Sequence, residues 1–288
     1  MPVLRGEFMS VAIVLPARLK STRLPNKLLL SATGKTLLEH TIDRAKLAQA
    51  AYPKLFTTIR VACDDEQLIR AAQRAGVDAV MTSPDHQSGT DRIEEASRDL
   101  KEDVIVNLQS DEPEIDPEYI GKVATLLTLP EPEIFNRKPM NNAPMATLAT
   151  FIYDRNNFNN PNIVKVVRNE LWNRALYFSR APIPYSREGD PLFSNDGRHV
   201  YGLHHIGIYS YRREFLAEYV KLKPTPLEKL EKLEQLRALE HDFGIRVALV
   251  PNNNPGIDTP ADYEAFVTRW KSQELRAKIQ EPNPGAKS

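Results

Sequence analysis

VAIVLPARLKSTRLPNK, residues 11–27, decides how the rest of the chain is read. Five apolar residues, Val11 to Leu15, end at Pro16; Arg18, Lys20, Arg23 and Lys27 then come in quick succession, interleaved with Ser21, Thr22, Pro25 and Asn26. A short apolar run closed by a breaker predicts a buried strand. Residues 16–27 hold too much proline and cation to prolong either strand or helix, so they read as a basic loop at the strand's C-terminal end. In open α/β sheets ligands sit off those ends. Several cations there suit a polyanion, best a nucleoside triphosphate.

The next hundred residues alternate between strand and helix patterns. A helix is expected from about residue 36 to 50, with Leu38, Ile42 and Ala45 on one face, and then a strand from Thr58 to Cys63. Asp64, Asp65 and Glu66 open a helix as its dipole favours, Leu68, Ala72 and Ala75 mark its buried side, and Val77 to Met81 is a third strand. This β-α-β-α-β order implies a parallel sheet with right-handed crossovers. TSPDHQSGTDR, residues 82–92, is either a loop that reads a base edge or an ordinary helix-capping loop, ahead of a helix carrying Ile93, Ala96 and Leu100. DVIVNL, residues 103–108, is a central strand, and QSDEP, 109–113, puts a carboxylate pair just past its end. Magnesium takes oxygen ligands and is usually held by one or two carboxylates plus phosphate oxygens. A solvated turn before the helix starting at Pro117 is the other reading.

PEPEIFNRKPMNNAP, residues 130–144, looks like a surface insertion, and beyond it the pattern changes. Residues 145–152, 163–167 and 175–179 read as strands without intervening helices, hence an antiparallel or mixed region. Residues 182–199 suggest a long mobile loop, and His205 to Tyr211 a further strand. His199, His204 and His205 lack zinc-ligand spacing, so a strand histidine bonding a substrate is the better reading. Thr225, Pro226 and Glu228 open a helix in which Leu227, Leu230, Leu233, Leu236 and Leu239 recur every third residue. Glu234 and Gln235 then lie mid-helix on what reads as a solvated face. After a last strand, Ile245 to Val250, Asp258 stands just outside a helix start at Thr259, Pro260 and Asp262, where it could supply a second Mg²⁺ ligand. Tyr263, Phe266, Val267 and Trp270 anchor that helix, and the polar tail, 271–288, is expected to fray.

Composition narrows the function. The 288 residues suffice for one large α/β domain or two modest ones. Lys and Arg number 38, as do Asp and Glu, so the chain lacks the basic excess behind broad nucleic-acid or membrane-surface binding. A single cysteine, Cys63, excludes an intrachain disulfide framework and fits a reducing cytoplasm. No apolar run approaches the roughly 18 residues of a membrane span. Residues 1–9 read as a disordered leader.

In chain order, PARLKSTRLPNK, DHQSGTDR, NLQSDEP, NPNIVKVV, LYFSRAPIP, HHIGIYSY, LEKLEQLR and GIDTPAD closely resemble the 3-deoxy-manno-octulosonate (Kdo) cytidylyltransferases, or CMP-Kdo synthetases, from about Ser10 to Trp270. Any one motif is weak; eight in register are specific. The resemblance implies a Rossmann-like, mixed but mainly parallel sheet flanked by helices, of the nucleotide-diphospho-sugar transferase type. A single catalytic domain would span 10–270, with a nucleotide-binding part at 10–144 and a smaller mixed, sugar-binding and dimerisation part at 145–250. The implied reaction is attack by the anomeric hydroxyl of Kdo on the α-phosphorus of CTP, releasing diphosphate, in lipopolysaccharide biosynthesis. A homodimer, a Mg²⁺ cofactor and a cytoplasmic setting come with it.

Carried over position by position, Pro16, Ala17, Arg18, Arg23 and Lys27 would bind the nucleotide, with Arg18, Arg23 and Lys27 on the triphosphate, and Gln87, Ser88, Gly89 and Arg92 would line the cytidine pocket. Asp111 and Asp258 would hold the metal. Gln109, Arg180, His205, Tyr209, Glu234 and Gln235 would face the sugar, which turns Glu234 and Gln235 from a solvated face into substrate contacts. Arg18, Lys27, Asp111 and Asp258 would carry the chemistry by neutralising charge and positioning groups in line. Two positions depart from the family pattern: Ser110 stands where glycine is usual, which asks whether the backbone there needs positive φ, and His204 stands where arginine is frequent. The rival readings are a cytidylyltransferase for a sialic-acid-like sugar, a glycosyltransferase, and a silent nucleotide-binding regulator. The cations beside the first strand argue against the glycosyltransferase, and the intact carboxylate and cation set argues against the regulator.

Overall fold

The computed structural model describes residues 9–129, 143–187, 192–193, 197–252 and 256–280. The leader, nearly all of the 130–144 insertion, parts of 182–199 and the last eight residues of the tail lie outside the described residues.

Strand β1 (Val11–Ala17) is the centre of the first half. Val11, Ile13, Leu15 and Ala17 pack into one apolar layer, and Ala12 and Val14 into the other, as the two-residue period of a strand requires. Parallel neighbours flank it, β2 (Phe56–Cys63) on one side and β4 (Val104–Asn107) on the other, with β3 (Asp78–Met81) outside β2. Helices α1 (Leu37–Ala51), α2 (Glu66–Arg74) and α3 (Gly89–Ser97) make the crossovers. Leaving β1 toward β2 and β3, the chain returns on the far side as β4. The carboxyl ends of β1 and β4 therefore open onto a crevice, the usual place for a ligand in such sheets.

The strand does not break at Pro16, which stays paired in register with Ala62. The β4 ladder reaches only Val14, so the N–H that proline lacks is not missed. Gly89 and Arg92 belong to the first turn of α3 rather than to a loop, because Ser88 caps that helix through Asp91 N–H at 3.1 Å. The helix expected at Pro117 is α4 (Pro117–Thr128), capped by Asp116, which accepts from Glu118 N–H, and the expected capping signal holds at α9 (Pro260–Gln280), where Thr259 and Asp262 exchange bonds. That last helix runs on to Gln280, so the first ten residues of the expected frayed tail are helical.

The sheet continues across residue 145 without a boundary. Its order is β3-β2-β1-β4-β10-β5-β11-β7-β6, made with β5 (Met145–Ile152), β6 (Lys165–Asn169), β7 (Arg174–Ser179), β10 (Gly202–Arg212) and β11 (Ile245–Leu249). β10 runs antiparallel to both β4 and β5, β11 is parallel to β5, and β6 and β7 are antiparallel, giving the mixed half that was expected. A short helix, α5 (Arg155–Asn159), does intervene between β5 and β6. β8 (Leu192–Phe193) pairs with β9 (His199–Val200) inside the expected loop.

The leucine-rich stretch is not one helix. α6 (Arg213–Tyr219) precedes α7 (Pro226–Glu231), which stops at Lys232 in the left-handed region (φ 55°), and α8 (Leu236–Glu240) comes after it. Leucines three residues apart drift around a continuous helix. The break lets Leu233 and Leu236 turn inward while Leu230 stays 80% exposed.

Lys165, from the NPNIVKVV motif, has no exposed surface, and its ammonium donates to the carbonyls of Asn160 (2.9 Å), Ile163 (2.6 Å) and Arg180 (2.6 Å). All three of its donors are used to tie the loop before β6 to the end of β7. Lys165→Met strands three acceptors, each costing about 1–3 kcal/mol if left unpaired. We expect a loss of about 3 kcal/mol or more in urea unfolding; a change below about 0.5 kcal/mol, the scale of an ordinary surface substitution, would refute this role.

Candidate active site

The basic loop after β1 is shaped by Asn26, which takes the left-handed conformation (φ 52°) tolerated by asparagine and starts a 3-10 turn, Lys27–Leu29. On the other side of the crevice Ser110 avoids positive φ, so the serine-for-glycine departure carries no strain. Its hydroxyl donates to the Pro16 carbonyl at 2.8 Å, and its own carbonyl accepts from Thr41 Oγ1 at 2.9 Å. The QSDEP turn is thereby fixed to the end of β1.

Between the loops lies a cleft of about 320 Å³ lined by Pro16, Arg18, Lys20, Arg23, Lys27 and, opposite them, Gln87 to Gly89, Arg92, Asp111 and Asp258. Arg18 and Lys20 carry no side-chain partner among the described residues. Arg92 is 4% exposed and spoken for: it donates to Thr82 Oγ1 at 2.6 Å and to Asp64 Oδ2 at 3.3 Å. Asp64 also accepts from Leu19 N–H at 2.9 Å, so this residue, read from sequence as a helix-dipole acid, clamps the basic loop to α3. The N-cap of α2 is Asp65 instead.

Lys27 faces the carboxylates. Its ammonium donates to Asp111 Oδ2 at 2.5 Å, Asp258 Oδ1 at 3.0 Å and the Ile257 carbonyl at 3.0 Å, while Arg23 pairs with Asp258 Oδ2 at 2.9 Å. Burial opposes the charge on Lys27, but the two aspartates outweigh it and raise its pKa. Of the expected QSDEP carboxylate pair only Asp111 lines the cleft. Glu112 is turned away, and burial, followed by the charge of Asp111, pushes it up to about 8.

A second cavity of about 180 Å³ shares Gly89 and Gln109 with the first and continues toward Tyr209, Tyr219, Glu234 and Gln235. Glu234 Oε1 and Gln235 Nε2 are buried there without a hydrogen-bond partner. Buried polar atoms are nearly always paired, so a water or ligand in this cavity would find an acceptor at Glu234 and a donor at Gln235. Burial raises the pKa of the Glu234 carboxyl, against the pull of Arg237.

The profile of the cytidylyltransferase family matches residues 12–245. A 3-deoxy-manno-octulosonate cytidylyltransferase from Rhodopirellula baltica is 44% identical over 92% of this chain and all of its own length. The solved structure of a CMP:2-keto-3-deoxy-manno-octonic acid synthetase complexed with CTP is 37% identical and covers 92% of this chain and 100% of its own, with a TM-score of 0.78. This chain belongs to the 3-deoxy-manno-octulosonate cytidylyltransferase family. It is an enzyme, a nucleotidyltransferase. Within the same range of similarity stands an 8-amino-3,8-dideoxy-manno-octulosonate cytidylyltransferase from Shewanella woodyi, 43% identical over 88% of this chain and 96% of its own. Overall identity therefore does not separate a hydroxyl from an amine at C8 of the sugar.

Against the positions carried over from the family, the two cavities gather Pro16, Arg18, Arg23, Lys27, Gln87, Ser88, Gly89, Arg92, Gln109, Asp111, Tyr209, Glu234, Gln235 and Asp258. Three expected residues line neither. The methyl of Ala17 is buried in the core. Arg180 donates to the carbonyls of Glu231 (2.8 Å) and Pro161 (3.0 Å), which commits it to joining β7 to α7. His205 lies behind the second cavity, 3.1 Å from Thr147 Oγ1 and edge-on to Phe178. Thr90, Tyr211 and Tyr219 line the second cavity but were not anticipated: their side chains meet only because α3, β10 and α6 converge.

Burial pushes the His205 imidazole down to about 3 and, with the charge of Lys165 adding, His204 down to about 4, so both are neutral near pH 7 and His204 cannot replace an arginine as an anion contact. Below the ordinary value of 6.5 the unfolded chain binds protons that the folded one refuses. Each histidine then subtracts up to about 1.4 kcal/mol of stability per pH unit as pH falls. His205→Gln should flatten the fall in unfolding free energy between about pH 6 and 4; an unchanged slope would contradict the buried neutral imidazole.

Proposed function

We propose that this chain transfers CMP from CTP to Kdo, giving CMP-Kdo and diphosphate, with the nucleotide in the cation-lined cleft and the sugar in the cavity beyond Gln109. The observation that carries it is the junction of the two cavities at Gly89 and Gln109, one rich in cations and the other in orphaned buried hydrogen-bonding atoms. In this reading Arg18, Lys20 and Lys27 bind and neutralise the triphosphate. The Ser88–Arg92 turn borders the base, and Gln109, Tyr209, Glu234 and Gln235 orient the sugar so that its anomeric oxygen faces the α-phosphorus. The new bond is O–P, the bond broken is the one from the α-phosphorus to the bridging oxygen, and the hydroxyl proton passes to solvent.

The residues present suit Mg²⁺. Asp111, Asp258 and the Ile257 carbonyl already direct three hard oxygens at one cationic centre, Nζ of Lys27. Among the described residues no cluster of three or more potential His, Cys, Asp or Glu ligands occurs, so phosphate oxygens and water would have to complete the shell. Held by Asp111 and Asp258, Mg²⁺ would polarise the α-phosphate and favour the ionised sugar hydroxyl.

Diphosphate release from CTP and Mg²⁺ tests this reading, with Kdo, 8-amino-Kdo and N-acetylneuraminate run in parallel. Release with Kdo at the highest kcat/KM is expected. Preference for the 8-amino sugar would move the assignment to that branch of the family, and preference for N-acetylneuraminate would overturn the sugar altogether. No helix among the described residues is long and apolar enough to cross a membrane, and a cytoplasmic setting suits a chain whose single cysteine, Cys63, leaves it without an intrachain disulfide. For assembly we propose a homodimer through the β6–β7 end of the sheet, where Leu171, Leu176 and Leu230 are 51%, 63% and 80% exposed. Light scattering that gives a monomer would reject it.

A further inference from the structure

The Lys27 ammonium occupies the point on which the proposed metal ligands converge. Its three N–H donors are all used, on Asp111 Oδ2, Asp258 Oδ1 and the Ile257 carbonyl, and its side chain is only 14% exposed. Arg23 takes the remaining oxygen of Asp258. Two carboxylates are thus matched by two cations, and a free divalent ion approaching this locally neutral cluster gains little. It would have to share oxygens with an ammonium, and two cations in contact with the same carboxylate oxygens repel one another strongly in a partly buried site.

A polyphosphate changes that balance. Arg18 and Lys20 line the same cleft with no side-chain partner among the described residues, so they can take up an incoming triphosphate first. Its oxygens then offer the Lys27 ammonium an alternative set of acceptors on the same wall. We propose that Lys27 is a resident counter-cation that keeps the Asp111–Asp258 pair closed to divalent metal until a bound polyphosphate draws the ammonium away, so that metal and nucleotide load together. This rests on the reading of Asp111 and Asp258 as metal ligands. By linkage the coupling is reciprocal: metal tightens nucleotide by the factor by which nucleotide tightens metal.

The test is a titration of the nucleotide-free full-length chain with Mn²⁺, monitored by electron paramagnetic resonance of the free ion, for wild type, Lys27→Met and Lys27→Gln. Lys27→Gln retains a hydrogen-bond donor toward Asp111 and stands in if Lys27→Met does not fold. We expect the variants to bind Mn²⁺ alone at least about tenfold more tightly than wild type, the scale of an ordinary coupling free energy. CTP should then enhance Mn²⁺ binding much less in the variants than in wild type. Variants that bind Mn²⁺ alone no more tightly than wild type would overturn the proposal. So would a gain that survives adding Asp111→Asn, because the ion would then be elsewhere. The enzymatic reading fails separately: this Mn²⁺ pattern in a chain that releases no diphosphate with any sugar would uphold the exchange and remove the Kdo assignment.

Discussion

Asp111→Asn is expected to lower kcat for diphosphate release by at least about 10²–10³-fold, the loss typical of removing one preorganised electrostatic partner of a developing charge. The substitution keeps the shape of the side chain and removes its charge. Asp111 is the carboxylate nearest Lys27, at 2.5 Å, and the only one of QSDEP that lines the cleft. Its side chain is 27% exposed and that of Lys27 14%, so breaking this partly buried pair should cost a modest amount of stability and leave the chain folded. The decisive comparison is kcat against the urea unfolding midpoint. A large fall in kcat with at most a modest fall in midpoint assigns Asp111 to the chemistry; retained kcat removes it from the site, and a collapsed midpoint makes its role structural.

Glu234→Gln is expected to raise KM for the sugar by about 10–150-fold with KM for CTP unchanged. A hydrogen bond to a charged group contributes about 1.5–3 kcal/mol. The same substitution should stabilise the free protein, because it removes a charge that burial disfavours. Functional sites often hold such locally unfavourable groups. Tighter folding together with weaker sugar binding is the signature; a purely structural Glu234 would lower stability and leave both KM values in place. Gln235→Leu, which removes the second orphaned group, should act in the same direction on the sugar alone.

Much of this was written locally. The run from Val11 to Leu15 gave a buried strand because its residues are apolar and short of polar relief. Thr36, Ser88, Asp116 and Thr259 mark helix starts that the structure keeps within a residue or two, since capping is a contact between near neighbours in sequence. That the cations after β1 and the aspartates of QSDEP and GIDTPAD would line one cleft was legible for the same reason: strand ends are readable, and parallel strands present their ends together.

Other features depended on contacts between distant segments. A helix pattern through Glu234 and Gln235 is what three-residue leucine spacing suggests, yet the chain breaks at Lys232 because packing against α6 and β10 needs Leu233 and Leu236 inside. That break is what carries two polar side chains into the second cavity. Arg180 and His205 belong to the right motifs, but Arg180 is committed to the carbonyls of Glu231 and Pro161, and His205 to Thr147. A side chain's partners are not encoded at its own position.

By itself the sequence determined a nucleotide-binding α/β sheet, the basic loop at its first strand, the two aspartates off later strand ends and, through eight motifs in register, the family. These are properties of short segments whose hydrogen bonds and burial are settled within a few residues. Only the tertiary structure decided that Lys27 sits between Asp111 and Asp258, 84 and 231 residues away, that the two cavities meet at Gly89 and Gln109, and that Lys165 is a buried tie between loops rather than a surface charge. Those choices rest on charge pairing and desolvation among groups that sequence places far apart.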